Sequence, residues 1–107
     1  MNTKTPTNPF ATLTWDDIET WAGSRIISRG KRYQRSNRMR ELARTESGGV
    51  IAWVQGTSRY ATQVEIARKK LTASCTCPYG GTCKHAVATV LSYLECLKLQ
   101  QEIPAAA

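Results

Sequence analysis

The residue types that can do chemistry are concentrated between Cys75 and His85, a stretch that reads CTCPYGGTCKH. It holds three of the four cysteines and the only histidine of the chain. Thiolate sulfur and imidazole nitrogen are preferred Zn²⁺ ligands, and four of them arranged as a tetrahedron make a closed structural site. The alternatives are four unrelated buried residues or a transient disulfide, but a compact Cys/His cluster in the cytosol favours metal. We therefore predict one structural zinc ion with the ligands Cys75, Cys77, Cys83 and His85.

The spacing of these ligands constrains the local backbone. Side chains two residues apart leave the same face of a strand, which suits Cys75 and Cys77 on a predicted strand. Two residues apart on a helix point about 200° away from each other. We therefore predict that Cys83 lies before a helix and His85 in its first turn. Cys96 lies about 16 Å further along that helix, so we expect it to take no part.

A second candidate site lies between Arg25 and Arg44, where eight basic residues accompany one acid, Glu41. Several of the arginines recur every three or four residues and so share one face of a predicted helix. The planar guanidinium group binds two phosphate oxygens at once, which favours a nucleic-acid interface. The alternative is a solvated helix face without a ligand. The predicted nucleic-acid contacts are Arg25, Arg29, Arg32, Arg35 and Lys84.

Composition favours binding over catalysis. The chain has 107 residues, enough for one domain, and a net charge of +7, which favours polyanionic partners. Its only histidine is assigned to the metal, and no phosphate-binding loop or nucleophile elbow is present. We therefore predict a module that is not an enzyme and has no small-molecule substrate. With neither a signal peptide nor an apolar span of membrane length, we expect a cytoplasmic protein without a membrane partner.

The elements that position these residues are predicted from a sequence pattern that changes from helical to strand-like and back to helical. Thr14 and Asp17 have the spacing of a capping box, and a second helix capped by Ser24 follows. Alternating apolar residues between residues 50 and 77 predict a meander of three or four strands. A stripe of apolar residues from Val87 onward predicts a final helix packed on the sheet. The predicted fold class is α+β, with N-terminal helices, a small antiparallel β-meander and a C-terminal helix, pinned by one structural zinc.

Residues 14–99 are the predicted zinc-binding domain, between a flexible lead at 1–13 and a flexible tail at 100–107. Bulky aromatic side chains dominate small cores, so Trp15, Trp21 and Trp53 are expected to be buried. Tyr79, between the ligands, is a candidate either to stack on a base or to shield the zinc from water.

The ligand pattern C-x-C-x5-C-x-H, which ends a β-meander and opens a helix, resembles the SWIM zinc-finger family. Upstream, Ser28–Tyr33 resembles the R-G-x-x-Y stretch of bacterial members, and Ala52–Thr57 followed by Tyr60 resembles their strand pair. The resemblance covers roughly residues 15–97 and implies zinc on the same four ligands. It also implies DNA-binding or protein-interaction roles, as in chromatin remodellers, transposases and recombination-associated proteins, without choosing among them.

We therefore expect a bacterial SWIM-type module, the N-terminal domain of a longer protein, that binds nucleic acid, DNA in preference to RNA. The alternative is a protein-interaction module that recognises an acidic protein surface within a larger protein or assembly.

Overall fold

The computed structural model describes residues 8–68, 70–79 and 82–106. This part of the chain contains three α-helices and one antiparallel sheet with the strand order β1-β2-β3-β4. The predicted α+β class, with leading helices, a meander and a closing helix, is confirmed. After a short 3-10 turn at Pro9–Thr12, the elements are α1 (Trp15–Ala22), α2 (Ser24–Arg35), β1 (Met39–Arg44), β2 (Val50–Gln55), β3 (Arg59–Ala67), β4 (Lys70–Cys75) and α3 (Lys84–Lys98).

A single residue, Gly23, joins the first two helices. The predicted capping box of α1 is confirmed: the backbone N–H of Asp17 donates to the Thr14 hydroxyl at 3.2 Å, and the Thr14 N–H donates to the Asp17 carboxylate at 2.9 Å. The prediction that Ser24 caps α2 is wrong. The N-cap is Gly23, whose φ of 83° lies in the region that favours glycine.

A close contact joins α2 to α3. A Cβ atom at Gly30 would lie 2.5 Å from Cγ1 of Val87, so only glycine fits between these helices. Val87 is fully buried and packs with Ile18 and Ile27 in one apolar cluster. The glycine therefore allows α2 to lie directly on the first turns of α3.

The sheet packs one face against α3. Strand β2 pairs with β3 in an unbroken register from Val50 opposite Val64 to Gln55 opposite Arg59. Val50 and Val64 are fully buried in the main core, and Val90 of α3 belongs to the same cluster. The alternation of buried and exposed residues along β2 follows from the two-residue period of a strand.

Two of the three tryptophans lie outside the core, so the expectation that all three are buried is wrong. Trp15 is 54% exposed and Trp53 is 37% exposed. A cation lies over each ring, with Lys31 Nζ 4.8 Å from the Trp15 centroid and Arg59 Cζ 4.4 Å from the Trp53 centroid. Trp53 points away from α3 because its neighbours on both sides in β2 are buried. Trp21 packs against both apolar clusters, as expected.

The described residues beyond the predicted domain limits make specific contacts. Within the predicted lead, Phe10 is fully buried and its ring meets that of Tyr93 edge-on at 5.2 Å. Asn8 donates its amide N–H to the Tyr93 hydroxyl at 2.8 Å. Residues 1–7 of that lead lie outside the described residues, and the limits at 14 and 99 stay a prediction.

The chain after α3 returns to the edge of the sheet. The backbone N–H of Arg44 donates to the Pro104 carbonyl at 2.8 Å, and that of Ala106 donates to the Arg44 carbonyl at 2.7 Å. Ala105 thereby forms a parallel bridge to β1. In the described ranges, no helix has both the length and the apolar character needed to cross a membrane.

Candidate metal centre

Four potential metal ligands meet where the sheet joins α3. Cys75 is the last residue of β4, and Cys77 lies in the bend that follows. Cys83 is the N-cap of α3, and His85 is the second residue of that helix. The three sulfur atoms and the imidazole nitrogen all lie within 4.8 Å of one another. The structure thus brings together all four residues that the sequence predicts as ligands and leaves Cys96 outside the cluster.

The predicted backbone at the second ligand pair is confirmed. Cys83 is extended, with φ of −125° and ψ of 174°, whereas His85 lies in the first helical turn. This break in conformation turns both side chains towards one point, which a continuous helix would prevent. The Cys83 carbonyl accepts the hydrogen bond from Val87 N–H that opens the helix.

The first ligand pair is arranged differently from the prediction. Cys75 and Cys77 were expected to share one face of a strand, but the strand ends at Cys75. Thr76 closes the ladder, because its hydroxyl accepts the N–H of Ala61 at 3.0 Å and its own N–H donates to the Ala61 carbonyl at 3.1 Å. Cys77 therefore reaches the cluster through a bend and not through strand alternation.

The interatomic distances fit zinc. His85 Nδ1 lies 3.6 Å from Cys75 Sγ and 3.7 Å from Cys83 Sγ. In a tetrahedral site with Zn–S near 2.3 Å and Zn–N near 2.0–2.1 Å, the nitrogen and each sulfur are about 3.6 Å apart. Three cysteine sulfurs and one histidine nitrogen are also one of the usual donor sets of structural Zn²⁺ sites. Cys75, Cys77, Cys83 and His85 are therefore positioned to bind a zinc ion, with Nδ1 as the nitrogen ligand.

Burial shifts two of the ligands towards their neutral forms. Burial raises the pKa of the Cys83 thiol to about 12, and the nearby Cys75 adds to this effect, against a hydrogen bond from the Ala86 backbone. Burial also lowers the pKa of His85, as does the positive charge of Lys84, so the imidazole is neutral at pH 7. A neutral imidazole can bind metal, and the thiols lose their protons when the ion binds.

Two tyrosines hold the imidazole of His85 in place. Its ring centroid lies 5.1 Å from that of Tyr33, which is edge-on at 78°, and 4.8 Å from that of Tyr60, which is tilted by 31°. His85 is only 4% exposed, and its Nε2 atom has no hydrogen-bond partner among the described residues. Metal-bound histidines usually donate this second N–H to a carboxylate or carbonyl, which orients the ring. Here the two tyrosine rings orient it by packing.

The absence of a side chain at Gly56 leaves room for the rings of Tyr33, Tyr60 and His85. A Cβ atom at this position would lie 3.0 Å from Tyr60 Cε2, 3.3 Å from the Tyr33 hydroxyl and 3.5 Å from His85 Nε2. Sequence reasoning assigned no site role to Gly56, Tyr33 or Tyr60. The signal was present, since all three lie in the upstream stretches that resemble bacterial SWIM proteins.

The five predicted nucleic-acid contacts lie on two helices, four on α2 and one on α3. The four arginines are exposed along α2, and none forms an ion pair with a described carboxylate. Lys84 is half-buried at the start of α3, with Nζ 5.0 Å from the Tyr33 ring centroid. Arg38, a further cation of the basic segment, lies 5.1 Å from the same ring. Arg29 and Lys84 line a cavity together with three of the metal ligands, whereas Arg25, Arg32 and Arg35 do not line it.

Four mutually close thiol and imidazole ligands that join a meander to a helix define a zinc-binding module. The family model described as SWIM zinc finger matches residues 58–94, which include β3, β4, all four ligands and most of α3. The match supports a SWIM-type zinc-finger domain in this part of the chain. The comparisons with curated proteins and with solved structures found no match. The matched segment does not include α2, which carries the arginines and Tyr33.

Proposed function

We propose that this chain is a zinc-stabilised module that binds nucleic acid through the exposed face of α2. The observation that carries the proposal is the lack of carboxylate partners for four exposed arginines on one helix. The one ion pair among the described residues joins Arg59 to Glu41 on the sheet. Unpaired guanidinium groups remain available to phosphates. The proposed contacts are Arg25, Arg29, Arg32, Arg35 and Lys84.

The geometry of α2 suits a phosphate backbone. At 100° per residue, the four arginines fall within an arc of about 120°, and the 1.5 Å rise spreads them over about 15 Å. Phosphates on one strand of B-DNA are about 3.4 Å apart along the axis, so this length matches about four of them. Ile27 and Gly30 on the other side of α2 are buried against α3, which fixes the direction of the arginine face.

In this proposal the zinc has a structural role. Protein side chains supply all four ligands, whereas catalytic zinc keeps one position open for water or substrate. The ion holds the end of β4 against the start of α3, and α2 packs on α3 through Gly30 and Val87. We accordingly propose a binding protein and not an enzyme. The proposed location is the cytoplasm, where thiols stay reduced and available to zinc.

A second candidate function is protein interaction. Trp15 and Leu99 are both large, exposed and apolar, and they line one cavity of about 610 Å³ between the helices. Exposed aromatic side chains are typical of the centres of protein interfaces. An acidic partner protein would use the same arginines, so the partner's chemistry must be tested directly.

The experiment measures binding of the zinc-loaded chain to labelled single-stranded DNA, duplex DNA and RNA by fluorescence anisotropy over a salt series. Phosphate binding weakens with a log–log slope of about −0.9 per contact for duplex and −0.7 for single strands. Reversal of Arg29 and Arg32 to glutamate should lower the affinity at least tenfold. It should also reduce the steepness of the salt dependence by the amount expected for about two phosphate contacts. The matched control reverses Arg68 and Lys70, which are exposed at the far turn of the sheet.

The control changes the net charge equally, so it should weaken binding only slightly. Equal losses from the two double reversals would contradict an interface on α2. If the wild-type chain binds none of the nucleic acids at low salt, the protein-interaction function takes first place.

A further inference from the structure

The metal centre forms one wall of a cavity of about 390 Å³. This volume lies within the range of roughly 300–1,000 Å³ that is typical of small-ligand sites. Its walls come from α2, from the β2–β3 hairpin, from the bend after β4 and from the start of α3. We call it the tyrosine cavity, after the residues Tyr33, Tyr60 and Tyr79 that line it.

The tyrosine cavity combines aromatic walls with cations. Tyr33 and Tyr60 are fixed against His85, whereas Tyr79 is 66% exposed and lines the cavity from the bend after β4. Arg29 and Lys84 also line it, and neither is paired with a described carboxylate. A ligand that fits must therefore present a flat apolar surface together with negative charge.

Arg29 makes the cavity continuous with the arginine face of α2. It lies four residues before Tyr33 and so above the same edge of the helix. A chain whose phosphates follow Arg25, Arg32 and Arg35 would pass the cavity at Arg29. A ligand anchored there carries both phosphates and rings, which are the two features that the lining selects.

We infer that the tyrosine cavity accepts one unpaired base of a single-stranded nucleic acid, with the flanking phosphates on Arg29 and Lys84. This inference rests on the proposed function and specifies its ligand. Aromatic side chains stack on bases with little sequence preference, since every base has a π-face. A base in a duplex must first leave its stack, at a cost of a few kcal/mol. The chain therefore binds single strands more tightly than duplexes of the same length.

The test separates base binding from phosphate binding with a probe that has no bases. The zinc-loaded chain is titrated with labelled oligo-dT, with oligo-U and with an abasic deoxyribose-phosphate strand of equal length. Oligo-dT should bind at least fivefold more tightly than the abasic strand, because stacking adds to an equal charge. Comparison of oligo-dT with oligo-U distinguishes DNA from RNA as the source of the base.

A variant at Tyr79 tests whether the base binds in the tyrosine cavity. Tyr79→Ala should weaken oligo-dT binding about tenfold and leave abasic-strand binding unchanged, while Tyr79→Phe should retain wild-type affinity. Trp15→Ala is the matched control, since Trp15 is also exposed but lies outside the tyrosine cavity. Zinc content is measured for each variant. The abasic comparison uses the wild-type chain, so it decides the question even if Tyr79→Ala loses metal.

The outcomes separate this inference from the proposed function. If oligo-dT and the abasic strand bind equally well and the Arg29 and Arg32 reversal abolishes both, phosphate binding stands and the base site is wrong. If Tyr79→Ala retains zinc and wild-type affinity for oligo-dT, the base site is wrong as well. If no strand binds at low salt, the proposed function fails and this inference fails with it.

Discussion

Replacing Gly30 by alanine should destabilise this protein, although alanine is the better helix former. The new Cβ would lie 2.5 Å from Cγ1 and 2.6 Å from Cβ of Val87, and 3.2 Å from the backbone nitrogen of Ala88. Ordinary contact begins at 3.4 Å. Because protein interiors are close-packed, α2 and α3 must separate by about 1 Å to accommodate the methyl group.

The magnitude follows from two opposing terms. Overpacking of a core costs about 1–3 kcal/mol, whereas a glycine-to-alanine change inside a helix gains about 1 kcal/mol. The clash dominates because it involves Cβ and a backbone nitrogen, which no side-chain rotation can move away. The difference between the two terms is a net loss of up to about 2 kcal/mol in the free energy of unfolding, and each kcal/mol lowers Tm by about 4–8 °C.

The assay is urea denaturation at a fixed free zinc concentration, because bound metal contributes to the apparent stability. Ser28→Ala is the control: it raises helix propensity at an exposed position of the same helix and should leave stability unchanged or slightly higher. Val87→Ala should cost less in the Gly30→Ala background than in the wild type, since the two positions are coupled. A Gly30→Ala protein at least as stable as the Ser28→Ala control would refute the close contact between the helices.

Three further predictions address the metal and the sheet. Cys77→Ser should lose the zinc and, with it, folding free energy on the order of 10 kcal/mol, while Cys96→Ser should retain one zinc per chain by elemental analysis. Metal loss from Cys96→Ser would contradict the ligand assignment. Gly56→Ala should displace the tyrosine rings from the histidine and weaken zinc retention about tenfold in a chelator competition. Unchanged zinc retention would exclude a role of the ring packing in metal binding. Burial raises the pKa of Glu65, but hydrogen bonds from Gln63 and from two hydroxyls lower it by more. Its contribution to stability is therefore present above its unfolded pKa near 4.3 and is lost as the pH falls through the lower folded pKa. The stability difference between the wild type and Glu65→Gln should accordingly shrink below about pH 4, and a constant difference would contradict it.

The metal ligands could be predicted from the sequence because their chemistry is local. Four donors within eleven residues leave few arrangements, and the helix period alone requires the break between Cys83 and His85. The bend at Cys77 was missed because a hydroxyl of Thr76 replaces the strand ladder there, and the alternation of residue types does not record such a bond.

Contacts across the fold were harder to predict. The sequence does not say which residue Tyr33 contacts, because that depends on how α2 packs on α3. Trp53 was expected in the core because of its aromatic bulk. Apolar residues occupy both faces of β2, so the residue pattern does not say which face is buried. Phe10 is a single buried residue in a polar segment. Its burial could not be predicted, because one apolar residue does not form a periodic pattern.

Helix α2 couples the metal centre to the proposed phosphate interface. Gly30 brings it onto α3, Tyr33 packs on the zinc ligand His85, and Arg29, four residues earlier, lines the same cavity. The matched segment 58–94 contains the four ligands but does not include Arg29, Gly30 or Tyr33. The proposed binding unit is therefore larger than the zinc finger, because the finger holds the ion while α2 supplies both the charge and one of the rings that orient the histidine.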